Sequence, residues 1–133
     1  MTPEQCALEL EAHPDYRVLR RLPQREVFDA DLAGQHLTRG IILDTETTGL
    51  SSEADRVIEL GMLLFEFDPV TGRIHQILRS FDQLEDPGMP IPEASTQVHH
   101  ITDEMVQGKR IDDAEVERML QRVSVVVAHN AAF

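Results

Sequence analysis

The run Ser124-Val125-Val126-Val127-Ala128 constrains this chain more than any other stretch. It is uncharged and rich in β-branched residues, and reads as a strand buried on both faces in a sheet with helices on either side. A second aliphatic run, Ile41-Ile42-Leu43, lies far upstream, with a hairpin and then helical patterning in the interval. A crossover of this length between two strands favours a parallel pair. The expected fold class is therefore α/β, a mixed sheet flanked by helices. If the two runs are parallel, their carboxyl ends meet on one edge, where open α/β sheets bind ligands. Topology alone then brings His129-Asn130 beside the residues that follow Leu43.

Those residues are Asp44-Thr45-Glu46-Thr47-Thr48-Gly49-Leu50. Side chains alternate along a strand, so Asp44 and Glu46 share one face while Thr45 points away. Acidic residues are poor strand formers, and neighbouring carboxylates repel one another. A cation would offset that cost. Paired hard oxygen donors suit Mg²⁺ or Mn²⁺, which leave coordination positions open for phosphate oxygens. The plainer reading, ordinary turn carboxylates at a strand end, stays open for a bare Asp-x-Glu. Thr47-Thr48-Gly49 supplies a polar turn at which a substrate backbone can approach closely.

The remaining elements read as follows. Thr2, Pro3 and Gln5 mark a helix start, with the helix running to about Ala12 and ended by His13-Pro14. Tyr16 to Arg25 holds an arginine cluster. It reads either as a contact for a nucleic-acid backbone or acidic partner, or as a solvated strand or turn paired with nearby Glu and Asp. Residues 1–37 are read as an N-terminal helix and arginine-rich extension packed on the domain formed by residues 38–133. Arg56–Phe67 and Ile74–Phe81 read as a hairpin across Asp68-Pro69-Val70-Thr71-Gly72. Glu59 is taken as a polar residue on its solvated side, not as a ligand. A proline-rich loop spans Asp86–Pro92. Thr102 and Asp112 are expected helix caps, and Val116, Met119, Leu120 and Val123 are expected to form one apolar helix face.

The 133 residues suffice for one small domain, and the net charge of −12 argues against binding nucleic acid through a broad basic surface. It leaves room for an enzyme that grips phosphates through metal ions. With Cys6 as its only cysteine the chain can form no internal disulfide and no cysteine-based zinc site. Its N-terminus lacks the pattern of a signal peptide, and no apolar run reaches membrane-spanning length. The expected setting is cytoplasmic, with no membrane partner.

The segment DTETTGL resembles, residue for residue, the first motif of the DnaQ-like (DEDD) 3′→5′ exonucleases, a family that includes the proofreading subunit of bacterial replicative DNA polymerase. Val98-His99-His100-Ile101-Thr102 resembles the family's V-H-G-I-T element, with His100 in place of the glycine. Val127 to Phe133 resembles the second motif, H-N-A-x-F-D, up to its phenylalanine. The resemblance covers about residues 40 to 133 and implies a ribonuclease H-like exonuclease fold. It implies hydrolysis of 3′-terminal phosphodiesters, with single-stranded DNA favoured, using two Mg²⁺ or Mn²⁺ ions. Asp44 and Glu46 would be the catalytic metal ligands. Thr45, Thr47, Thr48, Gly49 and Leu50 would shape the terminal nucleotide's pocket, and His99 and Asn130 would help position it. V-H-H-I-T leans toward the subclass with histidine in the third motif, and a DNA polymerase subunit is the implied protein partner.

The motif aspartate that follows the phenylalanine, and the third motif H-x-A-x-x-D, are not among these residues. The expectation is a fold incomplete at its C-terminus, with the 133 residues inactive alone. Two other functions fit the sequence. One is a non-catalytic exonuclease-like module that binds a polymerase subunit or a nucleic-acid end, and the other is an RNA-directed exoribonuclease.

Overall fold

The computed structural model describes residues 1–130. Ala131 and Ala132, small residues whose sequence permits the close packing of a helix beginning there, lie outside them. Among the described residues four strands, β1 (Thr38–Thr47), β2 (Val57–Phe67), β3 (Ile74–Leu84) and β4 (Val123–Ala128), form one mixed sheet in the order β3-β2-β1-β4. Strands β1, β2 and β3 make an antiparallel meander, and β4 pairs parallel to β1. The parallel arrangement expected from the crossover is present, with Ile42 opposite Val127 and Leu43 opposite Ala128.

The Asp68–Gly72 turn closes the β2–β3 hairpin. Asp68 accepts from Val70 N at 2.9 Å and from Thr71 Oγ1 at 2.6 Å, which holds its carboxyl below the ordinary range. Gly72, with φ of 74°, supplies the left-handed residue the turn requires.

The two faces of the sheet differ. Ile41, Met62, Leu64 and Phe81 project to one face and bury against Met119 of α4 (Asp113–Leu120). Helix α4 begins at Asp112, whose side chain accepts from Glu115 N, and Glu115 in turn binds Arg79 on β3. A second cluster, Ile58, Ile91, Ile101 and Val106, fastens α2 (Glu93–His99) and α3 (Asp103–Val106) to the end of β2. Burying a Met or Ile side chain fully contributes about 1.5–3 kcal/mol, so these few residues carry much of the domain's cohesion. On the opposite face Ile42 remains 43 % exposed, and this open face carries Asp44 and Glu46.

Three expectations need correction. Val123 belongs to β4, not to the apolar face of α4: the helix ends at Leu120, and Arg122, with φ of 59°, turns the chain into the strand. Residues Glu93–His99, left unassigned by the sequence, form a helix. Strand β4 is not buried on both faces. Among the described residues it has a neighbour only on its β1 side, and Val125, Val126 and Val127 are 38 %, 51 % and 49 % exposed.

Helix α1 (Pro3–Glu11) starts with the expected reciprocal cap between Thr2 and Gln5 but buries no residue. Arg20 pairs with Glu4 at 2.8 Å and Glu11 at 3.2 Å, which satisfies one member of the arginine cluster within the extension itself. The segment is hydrogen-bonded to the sheet from Glu26 onward. Ile77 N donates to Glu26 O, Phe28 N donates to His75 O, and Leu32 is buried. No helix among the described residues is long and apolar enough to cross a membrane.

Candidate active site

Strand β1 ends in Asp44-Thr45-Glu46-Thr47, and its alternation sets both carboxylates on the open face. Asp44 lies opposite Gly61 on β2, and Glu46 lies opposite Glu59. The glycine leaves free space beside the Asp44 carboxylate. Asp44 is exposed, and its Oδ1 accepts from Thr45 N at 3.0 Å, so Thr45 contributes its amide to that carboxylate. The next strand adds Asp82 opposite Gly61. Four carboxylates from three strands therefore surround one glycine.

The neighbours leave a mark on Glu59. Burial first, then the charges of Asp82 and Glu46, a hydrogen bond with Asp82 and the charge of Asp44, push its carboxyl above the ordinary value. This is a locally uncompensated negative field, the electrostatic condition that a bound cation relieves. Hard oxygen donors with open approach fit Mg²⁺ or Mn²⁺, with water and phosphate oxygens completing the coordination. Among the described residues no group of three or more His, Cys, Asp or Glu side chains is closed around a metal position. The fit therefore rests on Asp44 and Glu46 as a two-carboxylate platform. Glu59 is more than the solvated hairpin residue the sequence suggested, because the register sets it across from Glu46.

The parallel pairing of β4 delivers the residues that follow Ala128 to the same edge. His129 Nδ1 lies 3.9 Å from Asp44 Oδ1, and Asn130 follows with φ of 52°. These two residues, with Asp44, Thr45, Glu46, Thr47, Leu50 and Val98, line a cleft of about 360 Å³.

A second cleft, of about 270 Å³, adjoins it between the β1–β2 loop and α2, lined by Glu46, Thr47, Gly49, Leu50, Ala94, Ser95, Val98 and His99. Leu50 is 88 % exposed and Val98 77 %, so two apolar lips border the opening. Helix α2 is tied to the loop by Ser95 Oγ, which donates to Thr48 O at 2.7 Å. His99 ends that helix. Its Nδ1 accepts from Ile101 N at 3.0 Å, while its Nε2 is buried and without a hydrogen-bond partner among the described residues. The Nδ1 acceptor role places the ring proton on Nε2.

His100, in the position of the motif's glycine, adopts φ 63° and ψ 15° directly after the helix. The backbone path that a glycine favours is thus kept by a histidine.

Thr48 departs from its expected place. It is fully buried behind the loop, its Oγ1 donating to Asp55 and accepting from Arg56 N, and it lines neither cleft. Thr47, Gly49 and Leu50 do reach the clefts. Sequence reasoning missed Asp82 and Asp55. The strand alternation that puts Glu59 and Gly61 on one face was readable, but the register linking them to β1 and β3 was not.

Comparison with known proteins is consistent with this geometry. An exonuclease family model matches residues 41–133. The DNA polymerase III subunit epsilon of Treponema pallidum is 38 % identical over 93 residues, covering 68 % of this chain and 40 % of that protein. The PolC-type DNA polymerase III of Lacticaseibacillus paracasei is 33 % identical over 96 residues, 70 % of this chain but 6 % of the polymerase. This chain thus spans less than half the length of these relatives. Among solved structures, exonuclease X in complex with 5′-overhanging duplex DNA aligns with TM-score 0.52 and 29 % identity over 71 % of this chain and 50 % of that one. A product-bound exonuclease I aligns with TM-score 0.53 over 70 % of this chain and 22 % of that one; at 13 % identity it supports the fold alone. By the match over residues 41–133, the chain belongs to the exonuclease family.

Proposed function

We propose that the full-length protein is a divalent-metal-dependent 3′→5′ exonuclease. It removes nucleoside monophosphates from the 3′ end of nucleic acid, with single-stranded DNA favoured. The observation that carries this reading is the meeting of Asp44, Glu46 and His129 in one cleft at the sheet edge, next to a second cleft lined in part by His99. DNA is favoured because the relatives are DNA polymerase III proteins and exonuclease X is described with duplex DNA. Those names also support a replication setting in the cytoplasm and a polymerase subunit as partner.

In this reading Asp44 and Glu46 hold the metal, which supplies charge stabilisation and an activated water at the scissile phosphate. Thr47, Gly49 and Leu50 bound the terminal nucleotide on one side. Val98 packs on it from α2, and His99 donates from Nε2 to a sugar or phosphate oxygen. Asn130 adds an amide on the β4 side. The carboxylate face repels the polyanion in the absence of metal, so binding of the end is coupled to metal loading. With a net charge of −12, these 133 residues hold a few nucleotides at this site and gain little affinity from duplex beyond it.

The test is degradation of a 3′-labelled single-stranded oligonucleotide with Mg²⁺. The label should leave first, as mononucleotide, and Asp44→Ala with Glu46→Ala should abolish its release. Unchanged release in the double variant, or loss of a 5′ label first, would overturn the assignment. A matched RNA oligonucleotide degraded faster than the DNA would replace the favoured substrate.

A further inference from the structure

We propose that Asp55 is a positioning residue that holds the 47–50 loop in the shape that receives the terminal nucleotide. The inference rests on the exonuclease reading and deepens it, because Asp55 itself touches neither cleft. Both of its carboxylate oxygens are engaged within the β1–β2 connection. Oδ1 accepts from Thr48 Oγ1 at 2.8 Å, and Oδ2 accepts from Ser51 N at 2.8 Å. Its own amide donates to Ser51 O at 2.9 Å. Thr48, fully buried, closes the circuit: its amide donates to Arg56 O at 2.9 Å and its Oγ1 accepts from Arg56 N at 3.0 Å.

The carboxylate also fills the place where a side chain on residue 49 would lie. A Cβ built on Gly49 would stand 2.5 Å from Oδ2 and 2.7 Å from Oδ1 of Asp55. Real carbon–oxygen contacts are longer, and an oxygen fixed by hydrogen bonds cannot retreat without breaking them. The glycine is required here by the carboxylate stacked on it, and no positive φ is involved. On its other side the loop is held by Thr47 Oγ1 donating to Gly49 O and by Ser95 Oγ donating to Thr48 O. The backbone of residues 47–49 is thus held from both sides, between Asp55 and α2.

Asp55 belongs to neither buried apolar cluster. Its removal should therefore act on the loop first and on global stability second. Loss of two hydrogen bonds from a carboxylate frees the loop, and displacement of a positioning group by about 1 Å can cost on the order of a hundredfold in rate.

The experiment uses the full-length protein and three readouts: kcat and KM on a 3′-labelled oligonucleotide, affinity for thymidine 5′-monophosphate in the presence of Mn²⁺, and amide exchange over residues 48–51. Asp55→Ala should weaken nucleotide binding about tenfold or more, lower kcat/KM, and deprotect the Ser51 amide. Affinity for Mn²⁺ alone should stay unchanged. Asp55→Asn, which is isosteric and can keep both contacts by accepting from Ser51 and donating to Thr48, should recover most of the loss. Gly49→Ala should harm the wild type more than the Asp55→Ala background, where the space is vacated.

The proposal is overturned if Asp55→Ala binds thymidine 5′-monophosphate like wild type. It is also overturned if Asn is as damaging as Ala, or if the loss matches a global unfolding that also removes Mn²⁺ binding. Absence of nuclease activity in the wild type would refute the exonuclease reading instead. Nucleotide affinity and amide exchange would still decide the role of Asp55.

Discussion

His100→Gly should make the protein more stable, and the reason can be worked from one dihedral angle. His100 follows α2 with φ 63° and ψ 15°, and its amide donates to Thr96 O at 2.7 Å. Its side chain is exposed, so the imidazole's removal forfeits little packing. A residue with a Cβ in the left-handed region carries about 1–2 kcal/mol of steric cost. Glycine removes that cost but enlarges the unfolded ensemble, which returns about 0.4–1 kcal/mol. The net gain is about 0.5–1 kcal/mol, or roughly 2–5 °C in Tm for a domain of this size. Urea denaturation of the wild type, His100→Gly and His100→Ala separates the causes. Alanine discards the imidazole but keeps the Cβ, so it should stay close to wild type while glycine rises above both. If glycine is no more stable than alanine, strain at residue 100 is not the operative quantity and the argument fails.

Glu59→Gln should raise stability at neutral pH in metal-free buffer. The Glu59 carboxyl is pushed above its ordinary value, so in the pH window just above that value the folded state keeps a proton that the unfolded state releases. The penalty is absent below that value and complete once pH exceeds the folded-state pKa, so stability falls as pH rises through the window. The advantage of the variant should therefore be larger at pH 7 than at pH 4 and should shrink when Mg²⁺ is added; an advantage equal at both pH values contradicts the account. Gly40→Ala should destabilise by about 1–3 kcal/mol through overpacking, because the new Cβ overlaps the buried Phe65 ring. An unchanged urea midpoint would show that the ring yields freely.

Much of the sheet and one half of the site were legible because their signals are local. Ile41–Leu43 and Val125–Val127 are aliphatic runs, Asp68–Gly72 is turn chemistry, and Thr102 and Asp112 cap helices where expected. The parallel pairing of β1 and β4, and with it the approach of His129 to Asp44, followed from the crossover. Helix α2 was not legible. It has Pro92 at its start without a side-chain cap, and none of its residues is buried, so no apolar stripe marks it. Glu59 and Asp82 escaped because a face shared by three strands depends on register, and bulges at Glu46/Thr47 and Leu64/Phe65 shift it. Asp55 escaped for a related reason. Its partners are backbone groups and a hydroxyl in a folded loop, and a lone aspartate in a polar connection carries no pattern.

The parallel β1–β4 pair also sets an order of assembly. Strands β1, β2 and β3 are joined by short connections and can zip together from their turns. The β1–β4 pairing begins at Arg39 and Val123, so residues 40–122 lie inside the loop it closes. Closing long loops is entropically expensive and slow relative to hairpin formation. The meander should therefore form early with Asp44 and Glu46 already displayed, while His129 and Asn130 arrive with β4. On this ordering the two sides of the cleft are separate for most of the folding reaction, and a partly folded chain presents its carboxylates with nothing opposite them.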